Sequence, residues 1–343
     1  MRSANLVRVA LTAAVGALLV AGLTGSAQAL PGAPAAYEVS SAIAVGAAPG
    51  EIAISRNGRR AYVTNEDGNS VSVIDLRTRR ILAAVRVGTA PRGVAISPDN
   101  RRVYVANNGG DAQRVGSVSA IDTQTLRVVS TAGTIPSPEN LAISADGDEM
   151  WVTGSNASGY GVGIYTLPAM SSNGYPVQSQ GCLGEGIAAV DALRGTRTWG
   201  VTCPSLGLVN FNDQGCGTGD CQFSVLVGAN PQGIAFDANG NRAYVANADN
   251  DTVSVIDMAT RLVSATIPVG SSPYGVAVGR TKAFVTNFES DTVSVIDLAT
   301  NTVVQEVPVG DGPSGVAVSA RTGSVYVTNV LGNSVSVLKS RTP

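Results

Sequence analysis

Residues 269–297 read VGSSPYGVAVGRTKAFVTNFESDTVSVID, and nearly the same string recurs on both sides of them. Copies begin at Val45, Val87, Val227 and Val309. A fixed period of this size marks a repeat architecture, in which each unit buries its apolar surface against its neighbours. No other feature of the chain restricts its fold so sharply.

The copy at Val269 holds four short apolar runs, residues 275–278, 283–287, 292–297 and 302–307, rich in Val, Ile, Ala and Thr. The third alternates, Val293 and Val295 against Ser294 and Ile296, and a period of two belongs to a strand. Gly, Asn, Asp, Ser and Pro separate the runs and supply turn conformations. Four strands in about forty residues make one blade of a β-propeller. Anchored on P-x-G or its equivalent, the copies fall at Glu51, Gly93, Asn140, Gly186, Gly233, Gly275 and Gly315, between 40 and 47 residues apart. The predicted fold is therefore all-β, a seven-bladed β-propeller of four-stranded antiparallel blades. The fourth blade, about residues 181–225, is degenerate: Gly184-Glu185-Gly186-Ile187 stands for P-x-G-V, and Val201-Thr202-Cys203 for V-T-N. The last copy lacks a fourth strand, and residues 37–45 are a spare one. Pairing the N-terminal strand into the last blade closes the ring and removes the exposed edge.

The strings Tyr62-Val63-Thr64-Asn65, Phe284-Val285-Thr286-Asn287 and Tyr326-Val327-Thr328-Asn329 resemble those of the YVTN repeat family of β-propellers. So do the VGxxPxGVA opening and the TVSVID third strand. The resemblance runs from residue 36 to the end of the chain. It implies the propeller fold but no single activity, because function on such folds resides in grafted sites.

Residues 1–29 are different material. Arg2 and Arg8 precede an apolar run over residues 9–21, and Ala27-Gln28-Ala29 fits an A-x-A cleavage site. This pattern predicts a secretory signal peptide, a short lead-in over residues 30–36, and a single propeller domain over residues 37–343 outside the cytoplasm. The apolar run is shorter than the ~20 residues of a membrane span. Without Arg2 and Arg8, 21 basic residues face 25 acidic ones, with Lys282 and Lys339 the only lysines. Such a balance gives no footprint for nucleic acid. The pairs Arg59-Arg60, Arg79-Arg80 and Arg101-Arg102 read as solvated hairpin turns. Cys182, Cys203, Cys216 and Cys221 all fall in the degenerate blade, and an even count in an exported chain predicts disulfides. The strand reading favours Cys182–Cys203 and Cys216–Cys221.

The chain has no histidine. That excludes Ser-His-Asp and Cys-His nucleophile systems and His-ligated zinc or copper. No cofactor and no metal is predicted. The Asn- and Asp-rich stretches 65–69, 247–251 and 287–291 hold oxygen ligands, but as hairpins between second and third strands they read as turn chemistry. Positions that differ between copies are more informative. The x of P-x-G borders the channel mouth, and around the ring it is Gly50, Arg92, Glu139, Glu185, Gln232, Tyr274 and Ser314, with Glu51 and Asn140 beside them. These residues are the candidate binding site, for a protein, glycan or small molecule. The expected protein is a monomeric binding or scaffold module. The alternatives are a carboxylate-based hydrolase or lyase using Glu139 and Glu185 at the same mouth, and a structural cell-surface protein.

Overall fold

The computed structural model describes residues 36–341 except 110–115, 135, 157–158, 173–176, 179–187, 192–197 and 214–220. Seven antiparallel sheets follow one another along the chain. In the first blade the strands Pro49–Ile54, Arg60–Asn65, Ser70–Asp75 and Arg80–Arg86 pair in sequence order from the channel outward. The other blades repeat that order, and the fourth, degenerate in sequence, keeps it through Cys221–Leu226. The third blade carries an additional short strand, Val177–Gln178, on Gly159–Thr166. The last blade takes Pro313–Val318, Val325–Asn329 and Ser334–Ser340 from the C-terminus and Tyr37–Ala44 from the N-terminus. The protein is a seven-bladed β-propeller closed by its N-terminal strand.

Each core cluster joins two blades. Tyr62, Val71 and Val73 pack with Val94, Val103 and Val105 of the second blade, and Ile52, Val63 and Ile74 pack with Ile43, Val335 and Val337 of the last. Phe284 and Val295 meet Val316 and Val327 in the same way, and Tyr37 sets its ring edge-on to Phe284 at 5.0 Å. Second strands are accordingly buried along almost their whole length, whereas the outermost strand at Thr302–Pro308 alternates exposed and covered. The third strand departs from the sequence reading of two different faces: Ser294, on the polar phase, is as buried as Val293. Blades cover both faces, so the polar phase must find bonds inside the protein.

The V-T-N string supplies them. Asn287 Nδ2 donates to Thr292 Oγ1 and Ser294 Oγ at 2.9 Å each. Asn65 does the same with Ser70 and Ser72, and its Oδ1 accepts the N–H of Gly46 at 3.1 Å. The Gly of V-G is required by that contact, because a Cβ at Gly46 would stand 2.5 Å from the Asn65 side chain. The Asp that ends four of the third strands caps its own turn: Asp75 Oδ1 accepts Thr78 N–H at 2.7 Å, Asp257 Oδ1 accepts Thr260 N–H at 2.8 Å, and Asp122 and Asp297 do the same. Among the described residues no helix is long and apolar enough to cross a membrane.

Candidate functional site

Alternating strand directions place all first-strand starts and all hairpins between second and third strands on one face. The Thr of V-T-N fixes that face. Thr64 Oγ1 accepts the N–H of Glu51 at 3.0 Å and donates 2.7 Å to the carbonyl of Arg92 in the next blade. Thr286 links Gly275 N–H to the Ser314 carbonyl at 2.8 and 2.6 Å. The x residue of each P-x-G in these blades is thus held by its backbone, leaving its side chain for the mouth. The Gly that follows lets neighbouring first strands close up. A Cβ at Gly275 would lie 2.3 Å from the Ser314 carbonyl oxygen.

The mouth is a cavity of about 270 Å³. Of the sequence candidates, Gly50, Glu51, Arg92, Glu139, Asn140, Tyr274 and Ser314 line it. Gln232 does not. It is buried, its Nε2 donates to Asn230 Oδ1 at 2.6 Å, and its Oε1 has no partner. Asn230 takes a left-handed φ of 52° two residues before it, which brings that amide within reach. Glu185 lies outside the described residues.

Four further residues line the mouth, Ala48, Glu66, Phe288 and Val330. The last three each directly follow the Asn of V-T-N. That position also varies between copies, so the reasoning that singled out the x residues would have found this second ring.

The electrostatics centre on Arg92. Its Nε donates to Glu66 Oε1 at 3.1 Å and its Nη1 to Glu139 Oε2 at 2.5 Å. Asn108, from a long hairpin of the second blade, donates to Glu139 Oε1 at 2.9 Å. Burial alone would weaken the Arg92 charge, but attraction and hydrogen bonds from Glu139, and then Glu66, outweigh it and raise its pKa. Among the described residues Glu51 has no such partner. Protein surrounds it in the channel, and the lost hydration raises its carboxyl to about 7, against the pull of the Ile52 backbone N–H. Among the described residues the mouth therefore gathers three carboxylates and one guanidinium, and Glu51 is able to exchange a proton near neutrality. Tyr274, Phe288 and Val330 contribute aromatic and apolar surface to the same cavity.

The Asn- and Asp-rich hairpins serve the joints between blades. Asp251 Oδ1 accepts Ser272 N–H, Asp291 Oδ1 accepts Gly312 N–H, both at 2.8 Å, and Asn333 Oδ1 accepts Ala48 N–H at 2.9 Å across the ring closure. In the degenerate blade Cys203 is disulfide-bonded. Cys182 and Cys216 lie outside the described residues, as does the side chain of Cys221, so the pairing belongs with the predictions below.

Fold and mouth together define a closed seven-bladed propeller with an acidic, part-aromatic channel opening. In sequence, a model of the Cytochrome D1 heme domain matches residues 35–143, under half of the chain. In structure the chain is similar to the Kuenenia stuttgartiensis Hydrazine Synthase, with a TM-score of 0.74 and 21% identity over 86% of this chain and 96% of that one. At that identity the likeness is one of fold. No curated protein matches the sequence.

Proposed function

We propose that the protein is an exported binding module whose ligand is a small cationic or polyhydroxylated molecule held at the channel mouth. The observation that carries this reading is the gathering of Glu51, Glu66 and Glu139 at a cavity where Arg92 pairs with the latter two, and which also presents Tyr274 and Phe288. Carboxylates attract a cation and aromatic faces stabilise it further. Export is supported by the signal-like residues 1–29 and by the oxidised Cys203, which suits an oxidising compartment.

Haem is the ligand suggested by the partial family match, and the donor set does not fit it. Haem iron is held by His, thiolate, Met or Tyr. The chain has no His, Cys203 is oxidised, and Met150 and Met170 are buried in the core of the third blade. Among the described residues Tyr274 is the one such donor at the mouth, and it lies beside carboxylates that repel the haem propionates.

A second reading has its own support. A carboxyl with a pKa of about 7 is matched to general acid–base work at neutral pH, so Glu51 suits a hydrolase or lyase.

Calorimetric titration with choline, with its uncharged isostere 3,3-dimethylbutan-1-ol and with glucosamine tests the binding reading. Choline or glucosamine should bind, and Glu51→Gln with Glu139→Gln should weaken that binding while circular dichroism shows the propeller still folded. Equal binding of choline and its uncharged isostere, or binding untouched by the double change, would contradict a carboxylate-based mouth.

A further inference from the structure

A second cavity, of about 750 Å³, opens on the opposite face, where first strands end and third strands turn. Arg59, Arg77, Arg79, Arg321 and Lys339 line it, with Asp75 the one carboxylate among them. Asp75 is engaged with its own turn. The backbone N–H of Thr78, ahead of the Thr78 hydroxyl and Arg77, holds its carboxyl below the usual range. No carboxylate stands within ion-pair distance of the five cations among the described residues. The next cation along, Arg341, is already paired with Glu38. A chain of net charge −2 thus concentrates uncompensated positive charge in one concavity.

The walls come from the two ends of the ring. Gly58, Arg59 and residues 75–79 belong to the first blade, and Arg321, Thr322, Ser324, Tyr326, Lys339 and Ser340 to the last. The two blades touch there: Gly58, at a φ of +64°, leaves only 3.0 Å between an added Cβ and Arg321 Cβ. Arg79 Nη1 donates to Ser41 Oγ at 2.7 Å and so reaches the N-terminal closing strand. Buried Leu76, Ser324 and Tyr326 also line the cavity. Side chains of its own hairpin hold the Arg59 backbone, since Ser55 Oγ and Asn57 Oδ1 accept the Arg59 N–H at 3.3 and 3.0 Å.

We propose that this groove binds a compact polyanion carrying at least two phosphate or sulfate groups, and that the ligand latches the joint between the first and last blades. Guanidinium forks match the oxygens of phosphate and sulfate. A cavity of this size suits a small molecule better than a flat lipid surface or a long strand. Five like charges repel one another across the seam, and a bridging anion converts that repulsion into attraction. The inference is independent of the mouth, which lies on the other face and carries the opposite charge.

The test uses inorganic tripolyphosphate as probe, with calorimetry at low ionic strength and thermal unfolding of the same samples. Saturable one-site binding and a raised melting temperature are expected, and both should fade with added salt. Arg59→Glu with Arg321→Glu should weaken binding by about tenfold or more, as loss of two charge-assisted contacts implies. Arg59→Gln with Arg321→Gln serves if the reversed charges disturb the seam. Arg127→Glu, on the outer strand of the second blade, should change nothing. The proposal is overturned by tripolyphosphate affinity equal in parent and double variants, by no saturable binding at millimolar probe, or by single-stranded DNA that binds more tightly than tripolyphosphate.

Discussion

Thr328 donates its hydroxyl to the carbonyl oxygen of Gly50 at 2.5 Å, across the joint between the last blade and the first and over 278 positions of sequence. The Thr328 hydroxyl oxygen in turn accepts the N–H of Gly315 at 2.8 Å. Thr64 and Thr286 make the same two bonds at ordinary joints. Ring closure therefore uses the same hydrogen-bond pattern as every joint where these bonds are described, and one threonine secures it. Replacing Thr328 by Val keeps the shape and leaves the buried Gly50 carbonyl and Gly315 N–H short of a partner. A loss of about 1–3 kcal/mol is expected in urea unfolding. Thr64→Val should cost a similar amount, and a Thr328→Val protein as stable as its parent would contradict the role.

Deleting the N-terminal strand tests closure on a larger scale. Residues 37–44 pair with Ser334–Ser340 along most of their length, and Gln305 clamps Tyr37 reciprocally at 2.7 and 2.8 Å. A chain beginning at Val45 would expose Ser334–Ser340 as an unpaired edge. Size-exclusion chromatography should show association, with a fall in melting temperature of many degrees. A monomer of unchanged stability would remove the strand from the closure.

Glu51 makes stability depend on pH with a definite sign. Its folded pKa of about 7 stands above the ordinary 4.5, so between those values the folded state holds more protons than the unfolded. Stability is then full below about pH 4.5 and declines as pH rises through about 7, by up to about 3 kcal/mol at 1.4 kcal/mol per pH unit. Glu51→Gln should match the parent near pH 4 and exceed it near pH 8 in parallel denaturation curves. A variant less stable than the parent at alkaline pH would show that the charged form is held by contacts rather than penalised.

The disulfide pairing is tested directly. Mapping peptides of the unreduced protein should join Cys182 to Cys203 and Cys216 to Cys221. In the second pair the loop is short, and its removal should matter less than Cys203→Ser, since loop-closure stabilisation grows with length. Cys203 joined to Cys216 or Cys221 would overturn the assigned register of the degenerate blade.

The seven blades, their order and the closing strand were legible in the sequence because each repeat carries the same local instructions. Asn65, Asn287 and Asn329 each hold a third strand, and Thr64, Thr286 and Thr328 each hold the next blade. Periodicity also predicted which face Arg92, Glu139 and Tyr274 would share, since equivalent positions in a ring share a rim. It did not predict that Arg92 and Glu139 would pair, because side-chain reach between blades depends on blade tilt rather than on period. Gln232 is turned aside by a local contact that no repeat period encodes, its bond to Asn230. The basic groove escaped notice because Arg59 and Arg321 stand at opposite ends of the chain and only closure brings them together.

Arg92 supplies a last prediction, one of opposite sign to the loss expected from the carboxylates. Its guanidinium is the countercharge for Glu66 and Glu139, and Asn108 gives Glu139 only a neutral donor. Arg92→Met keeps much of the aliphatic stem and removes the charge, so Glu66 and Glu139 lose that countercharge. Loss of that pairing should destabilise the protein by about 1–3 kcal/mol, most clearly at low salt. The same surplus of negative charge should strengthen the attraction for a cation. Choline titration of Arg92→Met should therefore give tighter binding than the parent, most clearly at low salt. Weaker binding would mean that Arg92 itself touches the ligand, and that the mouth selects an anion or a neutral hydrogen-bonding group instead.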